Sequence, residues 1–177
     1  MDRVREMPDF FEVLRKRRSV RKYLAKPVEE EKIKTILEHA ILCESAGNLQ
    51  SYEIFVVKNE RIKQALARAA FEQAFVARAP VVFVVCANQE RAASYYGRRG
   101  YELYAINDAS IVAAHIELAA CALGLATCWV GAFDEERVRK ILNLPEGIKP
   151  VAIIPCGYPG ERPKMPRKRR DVVHFVE

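Results

Sequence analysis

The chain has 177 residues, half of them hydrophobic, and a net charge of +6. That length suits one domain over residues 1–177 with a sizeable core, and that composition excludes a disordered or fibrous protein. The charge is uneven: six basic residues and no acidic one lie between Arg162 and Arg170, which asks for an anionic partner.

No apolar run follows the first five residues, so no secretion signal is expected. Pro8 and Asp9 open a helix with Phe10, Phe11, Val13 and Leu14 on its apolar side, expected to end near Arg18. Pro27 starts a second helix, with Glu29, Glu30 and Glu31 favouring the dipole in its first turn. Ile33, Ile36, Leu37, Ala40 and Ile41 give it an apolar stripe at helical spacing. Residues 45–50 break the pattern and read as a polar loop. Residues 52–58 read as a strand, and Asn59 caps a helix carrying Ile62, Ala65, Leu66 and Ala69.

Residues 80–87 form a continuous, valine-rich apolar run, the pattern of a strand buried on both faces. A polar, Arg- and Tyr-rich segment follows to residue 104. The helix over residues 107–123 is apolar nearly all round and stops at Gly124. Asn107, Asp108, His115 and Glu117 would be costly in hydrocarbon, so it reads as a buried helix and no membrane partner is expected. Residues 127–132 read as a short strand, Asp134 caps a helix with Val138, Ile141 and Leu142, and residues 151–156 read as a further strand. The last apolar run, residues 172–176, reads as one more strand beyond a charged linker. Strands interspersed with helices in this order predict an α+β sandwich. The terminal strand is expected to join a partner's sheet edge.

The cysteines Cys43, Cys86, Cys121, Cys128 and Cys156 form no Cys-x-x-Cys and no zinc spacing with His. No disulfide and no metal are expected, and a reducing, cytoplasmic setting fits. There is no G-x-S-x-G, H-E-x-x-H or P-loop, and His39, His115 and His174 are far apart and read as structural. What remains is Arg17, Arg18, Ser19 and Arg21, three guanidinium forks and a hydroxyl at a helix end. Such forks match phosphate oxygens two bonds at a time; the plain alternative is a solvated basic helix terminus. An Arg cluster, a polar loop and no protein nucleophile suit an enzyme whose cofactor carries the reaction.

Several segments, in this order and spacing, resemble the FMN-dependent nitroreductase family, in its compact single-domain form. They are Arg-Arg-Ser-Val-Arg at 17–21, Ser-Ala-Gly-Asn-Leu-Gln at 45–50 and FVARAPVVFVVC at 75–86. Gly-Leu-Ala-Thr-Cys-Trp-Val-Gly-Ala-Phe at 124–133, Pro-Val-Ala-Ile-Ile-Pro at 150–155 and Gly-Tyr-Pro at 157–159 continue the match. The resemblance implies a three-layer sandwich with a central, mostly antiparallel sheet and a C-terminal strand exchanged onto the partner. It implies a homodimer with FMN at the subunit interface and NADH or NADPH as hydride donor. Hydride would pass by a ping-pong scheme to flavin N5 and on to a nitroaromatic, quinone or enone-type acceptor.

By similarity, Arg17 and Ser19 hold the FMN phosphate or ribityl chain, Arg18 adds charge, and Arg21 lies near the N1 and O2 edge of the ring. Ser45, Ala46, Asn48 and Gln50 come from the other subunit. Val130, Gly131 and Ala132 run along one ring face, with the Gly131 N–H at N5, and Gln73 meets the pyrimidine edge. Arg167, with Lys168 and Arg169 as alternatives, reaches the phosphate from the tail. No side chain is assigned a catalytic proton; Arg21 and Gly131 tune the flavin. Glu44 and Ser51-Tyr52 stand where many relatives carry Pro and Pro-Trp, and Arg169-Arg170 where relatives more often carry Pro and an aliphatic residue. Two other readings remain at this point. The basic tail and the Arg98-Arg99 pair would also suit a polyanion or nucleic-acid binder, although the tail has no interleaved aromatics for base stacking. A relative that consumes or modifies FMN is the other.

Overall fold

The structure, a computed structural model, describes residues 8–164, 170 and 172–176. Four strands, β1 (Tyr52–Val57), β2 (Val81–Asn88), β3 (Ala126–Thr127) and β4 (Ile148–Gly157), form an antiparallel sheet in the order β1-β2-β4-β3. The valine-rich run becomes β2, paired on both sides. Val81, Phe83, Val85 and Ala87 face one layer of helices, and Val82, Val84 and Cys86 face the other. A strand with no solvent face needs no polar alternation, which explains its unbroken apolar sequence.

The first layer holds α2 (Glu30–Ala40) and α6 (Ala105–Ala122). The second holds α3 (Glu60–Ala69), α4 (Phe75–Arg78) and α7 (Glu135–Leu142). The caps read from the sequence form: Asn59 accepts from the Ile62 N–H at 3.1 Å and Asp134 from the Arg137 N–H at 3.0 Å. α6 and the helical residues before it are long and apolar enough to cross a bilayer by composition, but a soluble core helix passes the same test. Here the helix buries Val112, Ala113, Ile116 and Ala120 against the sheet and α2.

Several expectations need correction. The first helix, α1 (Phe10–Lys16), ends before Arg17, which turns extended at ψ 127°. The Arg18 guanidinium satisfies the carbonyls of Arg15 and Arg17 at 2.6 and 2.9 Å, so the chain can leave the helix early. Helix α2 begins three residues after Pro27, behind Glu29. The polar segment is helical: α5 (Gln89–Arg99), interrupted at Gly97, runs into a π-helical turn at Gly100–Tyr104. Its only buried side chain within α5 is Ala92, so almost no apolar period was there to read. The strand expected at residues 127–132 shrinks to β3 plus an isolated pairing of Val130 with Ile153. Residues 172–176, expected to join a partner's sheet, pair with no strand of their own chain among the described residues, and Val172, Val173, Phe175 and Val176 are 66–94% exposed, which is compatible with that expectation.

Candidate active site

Residues 17–21 run extended beside β3. Ser19 pairs in parallel with Thr127, and the Val20 N–H donates to the Thr127 carbonyl at 2.9 Å. Alternation along an extended segment then turns Val20 into the core and places Arg17, Ser19 and Arg21 on the opposite side. Arg17 lies 3.7 Å from the carboxylate of Glu117, which also accepts from the Thr127 hydroxyl at 2.9 Å. The Arg21 guanidinium sits 5.8 Å over the Phe75 ring, and its backbone N–H donates to Glu161 at 2.8 Å.

The pairing also gives these groups an order. Thr127 pairs with Cys156 and Val130 with Ile153, three residues apart on β4, or about 10 Å along the strand. Because Ser19 and Thr127 run in parallel, Arg21 lies on the Val130 side of Ser19 and Arg17 on the far side. The Gln73 amide donates to the carbonyls of Ala70 and Ala132 at 2.9 and 3.2 Å, which brings Gln73 to the same end as Arg21 and Phe75. Val130 is buried, whereas Gly131 and Ala132 are exposed. A Cβ on Gly131 would come within 3.3 Å of the Trp129 indole nitrogen, tighter than an ordinary contact.

Below Arg17 opens a groove of about 650 Å³ lined by five cations, Arg15, Lys16, Arg17, Arg18 and Arg162, and one carboxylate, Glu161. It does not reach Ser19 or Arg21. Arg167, Lys168 and Arg169 lie outside the described residues.

The loop at residues 45–50 is at the opposite end of α6. Its Ala46 N–H donates to Asp108 at 2.9 Å, while Arg17 approaches Glu117. Nine residues of helix separate those two carboxylates, about 13 Å of rise. Ser45 and Ala46 are half-buried; Glu44, Asn48 and Gln50 are exposed. One copy of the chain therefore brings together Arg17, Ser19, Arg21, Gln73 and residues 130–132, and leaves Ser45, Ala46, Asn48 and Gln50 at a distance.

Sequence reasoning overlooked Asp108 and Glu117 as structural anchors of these two halves. The available signal was two carboxylates in an otherwise apolar helix, with no cation at i±4 to pair with either. Glu161, which fixes the Arg21 backbone, gave no signal at all.

No thiol or phenol here is primed to react. Burial pushes the Cys128 thiol up, with Arg21 and Arg17 only partly opposing it. Burial also raises Tyr23, whose hydroxyl donates to the Val20 carbonyl at 2.7 Å. His39 and His115 each place Nδ1 by the carbonyl one helical turn back, at 2.8 and 2.9 Å. Among the described residues no three His, Cys, Asp or Glu side chains gather to hold a metal.

The Ser51 hydroxyl is fully buried and has no hydrogen-bond partner among the described residues. Ser51→Ala removes an unsatisfied polar atom while keeping the backbone N–H. It is expected to leave stability unchanged or raise it by up to about 1 kcal/mol in a urea titration. A loss larger than that would show that the hydroxyl is bonded.

A family model described as the nitroreductase family matches residues 14–158, most of the chain and both halves of the site. The chain belongs to the nitroreductase family. That makes it an enzyme, and an oxidoreductase. Its similarity to an NADH dehydrogenase of Thermus thermophilus is 35% identity over 173 residues, 82% of this chain and 84% of that protein. The solved structure of B. megaterium NfrA2 superposes with a TM-score of 0.87 at 28% identity, covering 97% of this chain and 75% of that one. The NADPH:FMN oxidoreductase from Vibrio harveyi, complexed with NAD+, superposes with a TM-score of 0.86 at 26% identity, covering 95% and 77%. The nitroreductase fold accounts for the antiparallel sheet between two helical layers.

Proposed function

We propose that this nitroreductase-family chain is an FMN-dependent NAD(P)H oxidoreductase that works as a homodimer and reduces nitroaromatic, quinone or enone-type acceptors. The observation that supports this most is the order along the sheet edge. Arg17 and Ser19 stand at the Thr127 end, and Arg21, Gln73 and an exposed Gly131-Ala132 backbone lie toward Val130, which is about 10 Å from Thr127 along β4. Those donors fit a ligand with an anionic end and a flat, polar-edged ring.

FMN, when bound, supplies a hydride carrier between the nicotinamide and the acceptor. Arg17 and Ser19 bind the phosphate end, and Arg18, already bonded to two backbone carbonyls, adds charge. Arg21 holds a fixed positive charge at the N1 and O2 edge, where reduction gathers negative charge. Gly131 lets the backbone approach the ring and offers its N–H to N5. Val130 keeps that backbone seated on β4, and Ala132 adds a small face beside it. The Gln73 amide nitrogen is committed to two carbonyls, so its oxygen is what it offers the pyrimidine edge. Arg167, with Lys168 and Arg169 as alternatives, would add a tail cation to the phosphate.

The partner copy supplies Ser45, Ala46, Asn48 and Gln50, which a single chain holds too far from Arg17. Phe10 and Phe11, 60% and 62% exposed on α1, and the bare apolar residues 172–176 are surfaces a second copy would cover, the latter by joining its sheet edge. Five free cysteines suit a cytoplasmic location.

Titrating the flavin-free protein with FMN and with riboflavin tests the reading. FMN is expected to bind at one per chain and far more tightly than riboflavin, which lacks the phosphate. Equal affinities would remove the Arg cluster from the site. Binding of polyanions in place of FMN, with affinity falling steeply as salt rises, would support the polyanion reading.

A further inference from the structure

Asp108 is a buried carboxylate, 2% exposed, with no Lys or Arg at ion-pair distance among the described residues. A buried charge of that kind is costly unless hydrogen bonds compensate it. Its two oxygens accept from the Ala46 N–H at 2.9 Å and the Ser51 N–H at 3.3 Å, so one side chain grips both ends of the loop. Between those grips the backbone is left-handed three times, at Gly47 (φ 58°), Asn48 (φ 56°) and Gln50 (φ 50°). A left-handed conformation is strained for a residue that carries a Cβ, so the loop needs an external restraint.

Other braces act on the same few residues. The Ser45 hydroxyl accepts from the Gln50 N–H at 2.9 Å, and Arg91 donates to the Gln50 carbonyl at 2.6 Å. Tyr96 presses on Gly47 so closely that a Cβ there would lie 2.6 Å from its hydroxyl. Ser45, Gln50, Arg91 and Tyr96 restrain the middle and far side, and among the described residues only Asp108 ties both ends to α6.

We infer that Asp108 is a positioning residue: it holds residues 46–51 in a strained shape that presents Asn48 and its neighbours to the partner's flavin. It touches no substrate and acts through the loop. This rests on the shared-site reading above.

The test uses the full-length, FMN-loaded protein with Asp108→Ala and Asp108→Asn. Amide hydrogen exchange over residues 45–51 in Asp108→Ala is expected to speed up at least tenfold. The kcat should fall about ten- to a hundredfold, while FMN affinity changes less than threefold because Arg17 and Ser19 still hold the phosphate. Asp108→Asn should lie between, since its amide oxygen still accepts from Ala46 while its NH2 opposes the Ser51 N–H. If Asp108→Ala does not fold, the Asn variant decides by the same readouts. A variant that loses thermal stability but keeps loop exchange and kcat would overturn the inference and leave Asp108 a packing residue. If the wild type takes up no FMN, the flavin reading fails, and the exchange measurement still decides whether Asp108 holds the loop.

Discussion

Replacing Arg17 and Arg21 together by glutamine is expected to weaken FMN binding by about a hundred- to ten-thousandfold. Each guanidinium removed takes away a charge-assisted bond worth about 1.5–3 kcal/mol, and 1.4 kcal/mol is tenfold in affinity. Glutamine is the right replacement because it leaves Glu117 a hydrogen-bonding neighbour where Arg17 stood 3.7 Å away. The Arg21 backbone bond to Glu161 does not depend on the side chain. The single variants separate the two ends. Arg17→Gln should weaken FMN and spare riboflavin, because only FMN carries the phosphate. Arg21→Gln should weaken both and lower the flavin's reduction potential, because the cation that favours the reduced ring is gone. Equal losses for FMN and riboflavin in Arg17→Gln would contradict the order of groups along the sheet edge.

Phe83→Ala is expected to destabilise the fold by about 3–5 kcal/mol, the range for emptying a large buried aromatic site. Phe83 is completely buried in β2, paired with Val56 on one side and Ile154 on the other, and faces the layer formed by α2 and α6. Against a total stability of about 5–15 kcal/mol for a typical domain, that removes from about a fifth of the margin to all of it. Urea unfolding of the FMN-loaded and FMN-free forms measures it. A loss below about 1 kcal/mol would mean that Phe83 does not lie in the core.

The parts of this molecule governed by local pattern could be read from the chain. The run at residues 80–87 is unbroken because β2 has no solvent face, and Asn59 and Asp134 cap the helices they precede. The polar loop at 45–50 and the Arg cluster stood out for the same reason: each interrupts an amphipathic run. What escaped depends on contacts distant in sequence. Asp108 bonds a loop about sixty residues earlier and Glu117 an arginine a hundred residues earlier, separations that no periodicity encodes. The short β3 escaped because Thr127 and Val130 pair with β4 at two separate points, which local composition does not distinguish from one strand. The helical nature of residues 89–104 escaped because its surface is mostly polar, so its period carries almost no hydrophobic signal.

The apolar residues 172–176 show a further limit. Their sequence is that of a strand, yet among the described residues of one chain they pair with no strand and stay exposed. The same holds for the loop at 45–50, which reads as part of a site but lies at the far end of α6 from Arg17. The proposed homodimer would give both features a place, the loop beside the partner's Arg cluster and the apolar residues on the partner's sheet edge.

The most direct measurement is the visible absorption spectrum of the FMN-loaded protein, recorded without oxygen as NADH or NADPH is added. The account predicts a flavin band that bleaches with one or both nicotinamides and returns when a quinone or nitroaromatic is supplied, with intact FMN recovered after many cycles. A protein that takes up no FMN, or whose bound flavin neither nicotinamide reduces, would contradict it.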